Sequence, residues 1–171
     1  MKKGIFIFVA AVVVLAVVFY IDSRNSSDEK LVAPAGTENV QGELPLLPLT
    51  RLDSTRIIAS DLEGKVVLVF FQPDCDPCKR EAEQIRARLH AFDGYTLYFV
   101  SDAPLPELKR FALESNLAKQ QNVFFAQASL EDITNTVGSV KTPSVFIFSE
   151  EGNLVKSFIG EAPIEEVVQH L

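Results

Sequence analysis

The chain holds only two cysteines, Cys75 and Cys78, separated by Asp76 and Pro77. A structural disulfide gains most by closing a long loop, and this spacing closes almost none. A zinc site would need two further ligands, and the histidines are only His90 and His170. The pair is therefore read as a reactive dithiol with no bound metal. The nucleophile in such chemistry is a thiolate, which the unpaired N–H groups and dipole of a helix N-terminus favour. Cys75 stands where a helical pattern begins, so it is the expected attacking cysteine. Cys78 comes round the first turn and can resolve a mixed disulfide. Pro77 stiffens the loop at little loss, since a proline in the first turn gives up an N–H that has no helical partner.

Elements on both sides must hold that dithiol. Lys65–Phe71 is a continuous apolar, β-branched run after Glu63-Gly64, the pattern of a central buried strand. Pro73 ends it. From Asp76 to about Phe92 the spacing is helical, with Ala82, Ile85 and Leu89 on one face. Tyr95–Val100 is a second strand, and Pro104 and Pro106 open a second helix through about Leu117. A short strand, Val123–Ala126, and a short helix, Leu130–Val137, capped by Ser129, follow. Ser144–Phe148 and Leu154–Phe158 form a hairpin across Glu150-Glu151-Gly152-Asn153. Ile164–Leu171 closes the chain as an amphipathic helix. Ahead of all this, Leu46–Ile58 reads as two short strands around the turn Asp53-Ser54. The order implies an α/β sandwich: a central parallel pair, an added antiparallel hairpin and helices on both faces.

The N-terminus reads as an address. Met1-Lys2-Lys3 precedes Ile5–Ile21, 17 uncharged residues, all apolar or aromatic. Such a run nearly spans the hydrocarbon core as a helix. Lys2 and Lys3 should remain cytoplasmic, which places the rest of the chain on the other side, where disulfides persist. No Ala-x-Ala-like site ends the run, so residues 1–21 are read as an uncleaved signal-anchor rather than a cleaved signal. Residues 22–43 are polar, with Pro34, Gly36 and Gly42, and read as a flexible linker. Residues 44–171 form the expected folded domain, long enough to bury a core. The formal net charge is −7, of which −1 falls in residues 1–43. An acidic domain without a basic stripe argues against nucleic acid.

Val66–Glu81, VVLVFFQPDCDPCKRE, resembles the active-site strand, loop and helix of the thioredoxin superfamily, and Lys141-Thr142-Pro143-Ser144-Val145-Phe146-Ile147-Phe148 resembles its cis-proline segment. The stretch from Leu49 to Asp53 and from Ser60 to Val69 is similar to the same region of TlpA/ResA-like membrane-anchored thiol–disulfide oxidoreductases and the related AhpC/TSA redoxins. The resemblance covers residues 44–171. It implies a thioredoxin-like three-layer sandwich with an N-terminal β-hairpin extension, preceded by one transmembrane helix. It also implies that Thr142 and Pro143 lie beside the dithiol and pair with extended substrate backbone. Two positions depart from thioredoxin. Its buried Asp, six residues before the first cysteine, is Val69 here, and its Trp immediately before that cysteine is Asp74. Proton transfer at Cys78 then falls to water or to Glu81, one turn on, although a solvated surface position is the simpler reading of Glu81. Asp74 and Asp76 should raise the thiol pKa, with Lys79 and Arg80 offsetting them. A less stabilised thiolate favours a reducing dithiol, since strong oxidants stabilise their reduced form.

The expected function is that of an extracytoplasmic reductase of protein disulfides, working through a Cys75 mixed disulfide resolved by Cys78. Its partners would be client proteins and a membrane electron donor. No cofactor is required, and a monomer is expected. Two alternatives stand beside it. A peroxiredoxin-type thiol peroxidase would place proline and Thr or Ser in a P-x-x-x-T-x-x-C pattern, where this chain has Leu68 and Gln72. A non-catalytic copper- or client-binding module would resemble the SCO copper chaperones, which use CxxxC and a distal His.

Overall fold

The computed structural model describes residues 42–171. The anchor expected at 1–21 and the linker up to residue 41 lie outside the described residues. Among the described residues, 42–171, no helix is long and apolar enough to cross a membrane.

Seven strands form one sheet: β1 (Pro48–Arg51), β2 (Arg56–Ile58), β3 (Lys65–Phe70), β4 (Tyr95–Ser101), β5 (Val123–Gln127), β6 (Ser144–Phe148) and β7 (Leu154–Ile159). Their order across the sheet is β2-β1-β5-β4-β3-β6-β7. The helices are α1 (Asp76–Ala87), α2 (Leu105–Glu114), α3 (Leu130–Thr136) and α4 (Ile164–Val168). The expected parallel pair is in fact three parallel strands, because β5 pairs along β4 from Leu97↔Val123 to Ser101↔Gln127. The hairpin β1–β2 turns through Ser54 at φ 70 and adds to β5 antiparallel. The first described residues, which the sequence reading gave to the linker, are already paired: Leu154 N–H donates to Gly42 O at 2.6 Å, and Glu43 bridges Asn153.

β3 is flanked by β4 and β6 and buried on both faces, which is why its sequence is continuously apolar rather than alternating. Val67, Val69 and Phe71 point to one side and pack with Ala82, Ile85, Leu108, Phe111, Ile164 and Val167 from α1, α2 and α4. Val66, Leu68 and Phe70 point to the other and pack with Leu47, Leu49, Ala59, Ile133 and Val137. The result is three layers: helices, sheet, then α3 with the N-terminal segment.

Helix ends differ from the sequence reading for local reasons. The helical pattern from Asp76 to Phe92 divides at Arg88, whose N–H is shared between Gln84 O and Ile85 O; a 3₁₀ turn, Leu89–Phe92, follows. α2 ends at Glu114 instead of Leu117. Asn116 takes φ 58, and Leu117 N–H returns to Ala112 O, a left-handed stop that buries Leu117. α4 ends at Val168 instead of Leu171, because His170 N–H and Leu171 N–H bond back only three residues.

Candidate active site

The C-terminal end of β3 delivers the chain into the loop Gln72–Asp74, and Cys75 is the N-cap of α1. Cys75 N–H donates to Gln72 O at 3.2 Å. Cys75 Sγ accepts from Cys78 N–H at 3.2 Å, so the sulfur takes up one of the helix's unpaired donors. Pro77 sits in the first turn, as expected. Cys75 and Cys78 are joined as a disulfide. Their settings differ: Cys75 is half-exposed, whereas Cys78 is 1% exposed within the core against α1's Ala82 and Ile85.

Thr142 and Pro143 arrive from the far side of the sheet, just ahead of β6. Their peptide bond is cis. The Thr142 carbonyl oxygen lies 4.0 Å from Cys75 Sγ. Pro143 O accepts from Gly160 N–H at 2.8 Å, and Ser144 Oγ donates to Lys141 O, so this ledge is tied to its own strand and to the loop after β7.

The charges around the dithiol sort by burial. The Asp74 and Asp76 side chains are 91% and 81% exposed. Lys79 Nζ pairs with Asp76 at 3.3 Å, and Arg110 reaches Asp74 only at 4.0 Å. Water screens such pairs strongly, so their pull on Cys75 is modest. Glu81 is different. The reading of it as a solvated helix residue is corrected: it is 2% exposed. Its Oε2 accepts from Ala162 N–H at 3.3 Å, and among the described residues its Oε1 has no hydrogen-bond partner. Burial pushes the Glu81 carboxyl up to about 7; the Ala162 N–H opposes that rise, and the nearby Glu161 charge adds to it. Glu161 is itself held below the usual carboxylate range by its bonds to Arg80.

A second polar group lies behind the loop. The Gln72 amide donates to Asp102 Oδ1 and accepts from Ser101 Oγ at 3.3 Å. Ser101 Oγ also accepts from Ala103 N–H at 3.2 Å, and Gln127 donates to Ala103 O at 3.1 Å. The ends of β3, β4 and β5 are thus stitched together beneath Cys75. The sequence singled out Gln72 only as a missing Thr; Asp102, Ser101 and Gln127 carried no local signal of this role. Nor did Glu161 and Ala162, which reach Glu81 only through the fold. Leu68 and Val69 are buried in β3. His90 falls in the 3₁₀ turn, and the His170 ring lies 5.8 Å from Phe158. No group of three metal-ligating side chains occurs among the described residues.

A dithiol at a strand-to-helix turn, beside a cis-proline on a sheet of this order, defines a thioredoxin-like protein. The chain belongs to the AhpC/TSA family, whose model matches residues 40–157. No curated protein matched it in sequence. Among solved structures it is similar to MTB DsbF, at 18% identity and a TM-score of 0.61, covering 73% of this chain and 92% of that one. It is also similar to a secreted Mycobacterium tuberculosis disulfide oxidoreductase homologous to E. coli DsbE, at 18% identity and 0.57, covering 73% and 93%. Copper-bound ScoI of Arabidopsis thaliana is similar at 16% identity and 0.59, covering 74% and 93%. At these identities the likeness establishes the fold alone.

Proposed function

We propose that this protein is a thiol–disulfide oxidoreductase that reduces protein disulfides on the extracytoplasmic side of a membrane, held there by residues 1–21. The observation that carries the reading is the asymmetry of the dithiol. Cys75 is half-exposed at a helix N-cap, 4.0 Å from a backbone carbonyl that can face a client strand, while Cys78 is buried behind it. In the reduced protein the Cys75 thiolate attacks one sulfur of a client disulfide. The other client sulfur leaves as a thiolate and takes a proton from water, and a mixed disulfide remains. Cys78 then gives its proton to Glu81, and its thiolate attacks Cys75 Sγ. The second client sulfur departs as a thiolate and takes a proton from water, and Glu81 returns the Cys78 proton to solvent. Two electrons have passed to the client, and the protein is left with the Cys75–Cys78 disulfide. A membrane dithiol donor would restore the reduced form. Every electron moves between sulfur atoms, so the cycle calls on no bound cofactor.

The test is capture in cells. Cys78→Ser should accumulate mixed disulfides between Cys75 and client proteins, and Cys75→Ser should not. Trapping by Cys75→Ser alone would reverse the roles. Identification of the trapped partners as substrates being oxidised would overturn the reductase direction.

The AhpC/TSA match supports a second reading, a thiol peroxidase. Against it, Leu68 is buried in mid-strand and Gln72 is engaged with Asp102 and Ser101. Neither position offers a hydroxyl to peroxide.

A further inference from the structure

Helix α1 is fastened to the last segment of the chain by a row of polar side chains. Arg80 holds Glu161 through two bonds, Nε to Oε1 at 2.8 Å and Nη2 to Oε2 at 2.6 Å. Glu81 accepts from Ala162 N–H at 3.3 Å. Gln84 Oε1 accepts from Ile164 N–H at 3.2 Å. Arg88 Nη2 reaches Glu165 Oε1 at 2.9 Å. Positions 80, 84 and 88 recur every four residues, so they form one stripe along the helix. They meet Glu161, Ile164 and Glu165 in the same order.

An exposed ion pair is ordinarily worth little to stability. This one is placed to do something else. Arg80 directly precedes Glu81, and Glu161 directly precedes Ala162, the donor to Glu81. The pair therefore brackets the buried carboxyl from both chains. The loop it holds is tied at its other end, where Gly160 N–H donates to Pro143 O. We infer that the Arg80–Glu161 pair is a clasp that closes the Gly160–Pro163 loop over Glu81 and keeps water from its carboxyl. This makes Arg80 and Glu161 positioning residues for proton transfer at Cys78. The inference rests on the reading of Glu81 as the group that takes the Cys78 proton.

The charged groups around this corner are few. Arg80 comes from α1 and Glu161 from the loop. Glu165, on α4, is paired with Arg88. Lys141, ahead of the cis-proline, places its ammonium 3.9 Å from where a Cβ on Gly160 would stand. On this face β3 places Val67 and Val69 in the core, and its Lys65 lies over the Tyr95 ring at the start of the strand. Removing the Arg80 charge leaves Glu161 uncompensated beside Glu81. By electrostatics alone that would make Glu81 hold its proton more tightly. Letting water in does the opposite. The sign of the change in Arg80→Gln therefore separates a clasp from a mere charge.

The experiment is a ¹³C NMR titration of the Glu81 carboxyl carbon in the oxidised full chain. Arg80→Gln should lower its midpoint by about one pH unit or more. Arg80→Lys, which keeps the charge and one bond, should recover part of the loss. Arg88→Gln cuts the single-bonded Arg88–Glu165 pair two turns away and should leave the midpoint in place. An unchanged or higher midpoint in Arg80→Gln overturns the clasp, and so does an equal fall in Arg88→Gln. Amide exchange at Ala162 gives a second reading: it should quicken in Arg80→Gln and not in Arg88→Gln. The role of Glu81 is judged separately, from the pH profile of client release in Glu81→Gln. An unchanged profile there removes the proton-transfer reading and leaves the clasp to stand or fall on the carboxyl titration.

Discussion

Glu81 lies three residues beyond Cys78 on α1, one helical turn, and both side chains are buried. A carboxyl poised near neutrality at that distance along the helix suits the proton transfer proposed for Cys78. With Glu81 present, release of client from the mixed disulfide should rise with pH through about 7, as the carboxylate becomes available. Glu81→Gln should move that limb toward the ordinary thiol range, near about 8.5, and slow release at pH 7 on the order of tenfold or more. Stopped-flow release of a fluorescent thiol from the Cys75 mixed disulfide measures it. Identical profiles for the two proteins would assign the proton to water.

The same burial bears on stability. The folded-state pKa of Glu81 is raised from 4.5 to about 7, so the folded protein holds this proton more tightly than the unfolded chain. The contribution is fully present below about pH 4.5 and is lost as pH rises through about 7. The upper limit for so large a shift is about 3 kcal/mol. Urea unfolding of the oxidised protein at pH 4.5 and 8 should show wild type losing stability relative to Glu81→Gln over that interval. A parallel pH dependence in the two would mean that the carboxyl is already hydrated in the fold.

What the sequence revealed and what it hid divide along contact distance. Lys65–Phe71, the turn at Pro73 and the helix opening at Asp76 are consecutive, so hydrophobic run, breaker and helical spacing place Cys75 at a helix start without further information. Thr142-Pro143 could be placed only through the family pattern, and the fold brings Thr142 to Cys75 across 67 residues. Glu81 looked like any charged residue on a helix because its partners, Glu161 and Ala162, are 80 and more positions away. Val123–Ala126 read only as a short strand for a similar reason. Its place inside the sheet comes from pairing with β4 on one side and with β1, more than 70 residues earlier, on the other.

Phe71 joins the site to the core. Its ring meets Phe99 at 5.7 Å, Phe111 at 4.6 Å and Phe125 at 6.1 Å, just before the chain turns out to Gln72. Phe71→Ala should cost about 3–5 kcal/mol through the cavity it leaves. Phe71→Leu, which fills most of that space, should cost much less. Denaturant midpoints of the oxidised proteins test this. Near-equal midpoints for Phe71→Ala and wild type would show that the aromatic cluster collapses around the gap.

Gln72 decides between the two readings of the dithiol chemistry. A peroxidase needs a hydroxyl donor three residues before the reacting cysteine, and here the Gln72 side chain is already bonded to Asp102 and Ser101. The accompanying proline is missing as well. Leu68 pairs with Tyr98 and Phe146 in the middle of the sheet, and a proline there would remove a ladder hydrogen bond. Replacing Gln72 by Thr shortens the side chain and removes its bond to the half-buried Asp102 carboxylate, at about 0.5–1.5 kcal/mol. It supplies the hydroxyl without the rest of the peroxide cradle. Wild type and Gln72→Thr should therefore both consume hydrogen peroxide slowly, at rates close to that of a free dithiol, while wild type reduces protein disulfides. Rapid peroxide turnover in wild type, lost in Cys75→Ser, would favour the peroxidase. Rapid turnover gained only in Gln72→Thr would show that the hydroxyl alone suffices and that Gln72 is what holds this site to disulfide exchange.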